Sequence, residues 1–137
     1  MKLRTHLLAL AASATLAATA LAAEQPAATS DSPETDASLY GQSVTLPRQA
    51  AVCAERIADY MPRFQKVFDA WRSENAARID SGGKFIREQA AQGGVDADAG
   101  MSKLADADVE RLHKTSLELL ARHCQLMLDT LAPNAGN

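Results

Sequence analysis

The chain has 137 residues, 47% of them hydrophobic, 4% aromatic and 23% charged, with a formal net charge of −3. That length supplies one domain, and a mildly acidic balance lacks the basic footprint that nucleic acid or an anionic lipid surface requires. With so few aromatic and β-branched residues nothing competes as a strand, so the reading is all-α: a small antiparallel helical bundle.

Residues 1–22 read as a secretory signal peptide. Lys2 and Arg4 form a positive start, Leu7 to Leu21 an Ala/Leu-rich run, and Ala20-Leu21-Ala22 a cleavage site. The run is shorter than the ~20 residues that span a bilayer, and no later run is apolar enough, so no membrane span is expected after cleavage. The expected compartment is the bacterial periplasm, or the exterior. Cleavage would leave 137 − 22 = 115 residues and remove two cations, taking the charge to −5.

Residues 23–45 are rich in Ala, Ser, Thr, Pro and acid, and are expected to be a disordered acidic leader, too poor in large apolar groups to offset the entropy of ordering. A first helix is predicted from Thr45, an N-cap, with Pro47 in its first turn and Leu46, Ala50, Cys53, Ile57 and Tyr60 as its stripe. Met61-Pro62 predicts a reversal. A second helix then starts at Pro62, with Phe64, Phe68, Trp71, Asn75, Ile79, Gly82 and Ile86 on one face. The phase survives Ser81-Gly82-Gly83, which favours a helix running through the glycines although each costs about 1 kcal/mol relative to Ala. The alternative is a break there, with residues 84–92 folding back.

Gly93-Gly94 reads as a stop, with Asp98 or Ser102 capping the next helix. Leu112, Leu117, Leu120, Cys124, Met127, Leu128 and Leu131 recur at steps of three and four, predicting one long helix over Val109 to Leu131 as the wall on which the rest packs. Residues 133–137 read as a frayed tail. The bundle domain is thus placed at 46–132, as three helices running up-down-up or, with the break at the glycines, four.

Two cysteines in an exported chain predict an intramolecular disulfide, Cys53 to Cys124. If the second and last helices form a hairpin turning near residues 93–98, Cys124 lies level with residue 67. A straight rod would leave Cys53 ~21 Å away along the axis, whereas a disulfide allows only ~4.4–6.8 Å between Cα atoms. The bridge therefore requires the chain to double back before Phe64.

Chemistry has little foothold. His113 and His123, read on one helix, would stand ~15 Å apart and could not share a metal; His123 reads as a partner of the helix dipole. Asp96-x-Asp98 fails the calcium-loop pattern, with Gly100, Met101 and Ala107 at its fifth, sixth and twelfth positions. Ser116 lacks an orienting acid, and Asn75 reads as a buried amide bonding across helices. No catalytic residue, metal or cofactor is expected. Three helices leave apolar surface uncovered at Ile79, Gly82, Phe85, Ile86 and Leu104, a surface for a protein partner or a homodimer. The expectation is a non-enzymatic exported interaction protein such as an inhibitor, chaperone or envelope-associated adaptor. The alternative is a small-ligand or haem carrier using the bundle interior, with His123 and Met61 as haem ligands.

Overall fold

The computed structural model describes residues 32–132; the segments read as signal peptide (1–22), as leader up to residue 31 and as tail (133–137) lie outside them. Five helices and no strand occur among the described residues: α1 (Pro33–Arg56), α2 (Tyr60–Glu74), α3 (Ala76–Gln92), α4 (Ala97–His113) and α5 (Leu117–Leu131).

The first correction concerns α1, which begins at Pro33 rather than at Thr45. Ser32 caps it by accepting from the Thr35 amide, Pro33 takes the first position, and Glu34 and Asp36 sit in the first turn. That is an N-terminal signature in cap, proline and acids together. Residues 33–45 are therefore helix, not leader. Pro47 lies inside the helix, where it removes one backbone donor. One turn earlier the Ser43 and Thr45 hydroxyls donate to the carbonyls of Tyr40 and Gly41.

α1 packs against each of the other four helices, so it, not the last stripe, is the central element. Its C-terminal half meets α2 and α5 around a core of Cys53, Tyr60, Phe64, Leu120, Cys124 and Leu128. The chain reverses over Ile57 to Asp59, where Asp59 takes a left-handed conformation with φ of 56°. The doubling-back that the bridge requires thus occurs before Phe64. It comes a few residues earlier than expected, and Pro62 sits within the first turn of α2, where amides have no partner in any helix. Cys53 and Cys124 are joined, with Cα atoms 6.0 Å apart. The buried Tyr60 hydroxyl donates to the Cys124 carbonyl at 2.9 Å, and burial pushes that phenol up to about 12.

The second predicted helix is two. It breaks at Asn75, whose amide Nδ2 donates to the Trp71 carbonyl within its own turn rather than across helices. The helix then runs unbroken through Gly82 and Gly83. Both glycines are buried against the N-terminal half of α1. A Cβ on Gly82 would lie 1.9 Å from the Asp36 carbonyl oxygen, and one on Gly83 3.0 Å from the Tyr40 ring. The half-buried Arg78–Asp36 ion pair, at 2.8 Å, clamps the same crossing.

The last predicted helix is also two. Ser116 accepts from the Leu119 amide and starts α5 afresh, while α4 begins under an Asp96 cap instead of Asp98 or Ser102. α4 runs parallel to α1. Tyr40–Asp98, Arg48–Asp106 and Glu55–His113 pair at 3.2, 2.6 and 3.1 Å, all 58 residues apart in sequence. A constant offset between two helices of equal rise means equal direction and one register. The architecture is α1 up, α2–α3 down, α4 up and α5 down, with five helices where three or four were expected.

Candidate functional site

α4 and α5 are joined by three residues yet pack on α1 rather than extensively on each other. Beside α5 and over α1 lies a groove of about 240 Å³. Leu46, Leu126, Met127 and Leu131 make its apolar walls, and Gln42, Gln49, His123 and Thr130 supply its polar groups. Leu126 is 64% exposed and Leu119, one heptad earlier on the same face, is 57% exposed. Two leucines held out to water beside an apolar depression are the pattern of a docking surface.

The polar end of this groove is a relay. Arg111 Nη2 donates to Asp108 Oδ1 at 2.6 Å, and Gln49 Nε2 donates to Asp108 Oδ2 at 3.0 Å. The same Gln49 side chain meets His123 Nε2 through its Oε1 at 3.1 Å. A carboxylate only accepts, which fixes the Gln49 amide with its NH₂ toward Asp108. Its carbonyl oxygen must then accept from His123, so Nε2 carries the proton and, in the neutral ring, Nδ1 keeps a lone pair. Burial, chiefly, and the Arg111 charge hold the His123 imidazolium below its ordinary range, while Asp108 acts the other way.

The two histidines are on different helices, both turned to α1: His113 to Glu55, His123 to Gln49. His123 lies mid-helix, so its environment is set by Gln49 rather than by a helix end. Ser116 serves as a cap. Met61, the proposed haem partner of His123, packs against the core from α2 and does not line the groove. Among the described residues no cluster of three or more His, Cys, Asp or Glu side chains is placed to hold a metal ion. Asp96 and Asp98 are engaged by the Ala99 amide and the Tyr40 hydroxyl.

The residues expected to form the partner surface occupy several environments. Gly82 is buried at the α1–α3 crossing, and another backbone does come close to it, but it is that of α1. Ile79 lines a hollow with Tyr40 and Arg87, and Phe85 lines a separate one with Pro33 and Ala77. Ile86 is half-buried, and Leu104 on α4 is 60% exposed. The missing wall of the three-helix picture is the N-terminal half of α1. The sequence reading missed Leu119, Leu126 and Gln49. Leu119 and Leu126 stand seven residues apart just off the buried stripe of α5, and that spacing was the available signal.

No family model, curated protein or solved structure matches this chain. Among the described residues no helix is long and apolar enough to cross a membrane. With the disulfide, this is compatible with an exported protein.

Proposed function

We propose that this is an exported, periplasmic, non-enzymatic protein-binding module whose docking surface is the α1–α5 groove and its flanking leucines. The observation that carries the reading is Leu126, 64% exposed on a helix that buries Leu120, Met127, Leu128 and Leu131, at the edge of an apolar groove. A groove of this size is below the ~300 Å³ at which small-molecule sites usually begin, and its form suits a protruding side chain or helix of a partner. Gln49 and His123 are held by each other and Thr130 by its own helix, which suits positioning and specificity rather than turnover.

The test is a photo-crosslinking amino acid placed in the native cell envelope at Leu126, at Leu119 and, as control, at the exposed Lys66 on α2. The expected result is one common adduct at 126 and 119 that is absent at 66. Equal labelling at all three positions, or none at 126 and 119, removes the proposal.

A further inference from the structure

α4 is held in two different ways along its length. Its last turns are anchored by apolar packing: Leu112 belongs to the main core, and Val109 packs against it. The Glu55–His113 pair and the bond from Arg56 to the Thr115 carbonyl close that end. The stretch from Ala97 to Asp108, about three turns, has no such anchor. Among the large apolar residues of this stretch and its connector, Val95 and Leu104 are exposed and Met101 alone is buried. Met101 and Ala105, though buried, lie outside the main core. Met101 Cε rests over Gly41, 3.6 Å from where a Cβ would stand, so its seat is bare backbone.

The remaining hold on this stretch is polar. Arg48 donates through Nη1 to Asp106 at 2.6 Å and through Nη2 to the Ser102 hydroxyl at 3.1 Å, while Tyr40 donates to Asp98 and Gln49 to Asp108. The Arg48 and Asp106 side chains are 42% and 70% exposed, which makes their pair weak and open to screening by salt. The helix adds little of its own: Asp98, Gly100, Asp106 and Asp108 are poor helix formers, and a segment this short is marginal without a surface to lie on. At the connector, Gly94 takes φ of 66° with open space around it, a joint at the free end.

We propose that Ala97 to Asp108 is a flap, latched by Arg48, that opens as a unit while Val109 and Leu112 stay seated. Opening takes Asp108 from Gln49, and with it the bond that turns the Gln49 carbonyl toward His123 at the edge of the α1–α5 groove. The flap thus controls the polar end of that groove, whatever the groove binds.

Native-state hydrogen exchange of the oxidised protein, read amide by amide by NMR, tests this. Amides of residues 101–108 should exchange as one set, about 100-fold or more faster than those of Leu112, Leu120 and Cys124, as befits a local opening beside a core that opens only globally. Arg48→Met, which keeps most of the stem, should speed that set about three- to five-fold, the worth of an exposed pair. Salt at about 1 M, where the screening length falls to ~3 Å, should act in the same direction. Neither should move the exchange of α5. Met101→Asp should hold the flap open: the set loses protection, the side-chain resonances of Gln49 and His123 shift, and Leu120 and Cys124 stay protected. Should that variant fail to fold, Met101→Ala should speed the same set about ten-fold or more with α5 unmoved.

Amides 101–108 as well protected as those of α5, or an Arg48 or Met101 variant that speeds every helix equally, would overturn the proposal. So would Gln49 and His123 resonances that stay in place once the set has lost its protection.

Discussion

Replacing Gly82 by alanine distinguishes a helix glycine that tightens the fold from one that merely weakens a helix. In an exposed helix interior the change stabilises by about 1 kcal/mol, because alanine has the better propensity. Here the added methyl would meet backbone: the Asp36 carbonyl oxygen at 1.9 Å, its carbon at 2.3 Å and the Ala37 nitrogen at 2.7 Å. Restoring ordinary contact at 3.4 Å means moving α1 and α3 apart by about 1.5 Å in a close-packed interior. Neither neighbour is a flexible side-chain tip that can step aside. A clash of this depth with backbone belongs at the upper end of overpacking costs, about 2–3 kcal/mol, and separation would also stretch the Arg78–Asp36 pair. The expected net effect is destabilisation by about 1–2 kcal/mol after the propensity gain is subtracted. Gly100 is the internal control, since it lies in α4 with nothing within 4 Å of where its methyl would sit; Gly100→Ala should stabilise by up to about 1 kcal/mol. Urea unfolding of the oxidised protein reads both. A Gly82→Ala variant as stable as wild type, or more stable, would show that α1 and α3 do not approach this closely and would refute the placement of residues 33–45.

Two further outcomes concern the bridge and His123. Replacing Cys53 and Cys124 together by alanine opens a loop with a sequence separation of 71; in the chain-entropy model it should cost about 4 kcal/mol in the same unfolding assay, while the native protein should show no alkylatable thiol until denatured and reduced. For His123 the folded-state pKa is lowered from its ordinary 6.5, so the neutral ring favours the fold. That stability is fully present above about pH 6.5 and is lost as pH falls from there through the folded value. His123→Gln should flatten the decline in this window, measured as urea midpoint against pH, and a decline that is unchanged in the variant would reassign it to other groups.

The bridge and the reversal before Phe64 were legible, but the register argued for them was not. α5 runs down alongside α2, Tyr60 reaching Cys124 and Arg63 reaching Gln125, so Cys124 lies level with residue 60 rather than with residue 67 of an antiparallel hairpin. The sequence carried the unbroken passage through Gly82-Gly83 because the stripe kept phase there. What it did not yield was the N-terminal half of α1. That half packs through small groups and backbone, with Gly41 beside Met101 and the Asp36 carbonyl beside Gly82, so a search for large apolar residues passes over it. The cap at Ser32-Pro33 was legible and was outweighed by composition. The breaks at Asn75 and Ser116 are set by single polar side chains bonding to nearby backbone, a local competition that a periodic stripe does not register. The groove was hidden for a different reason. Gln49 and His123 are 74 residues apart, and only the parallel course of α4 brings Asp108 up to orient them.

The Cys53–Cys124 bond also bears on how the molecule would age among proteases. The connector between α3 and α4 and the turn between α4 and α5 both fall between the two cysteines in the chain. A single nick at either place leaves the fragments covalently joined, with α5 still fastened to α1 and the groove between them held by the same bond. Cleavage there would be silent on a non-reducing gel and would leave the leucine-edged face in place, so the cut protein could go on working until its disulfide was reduced.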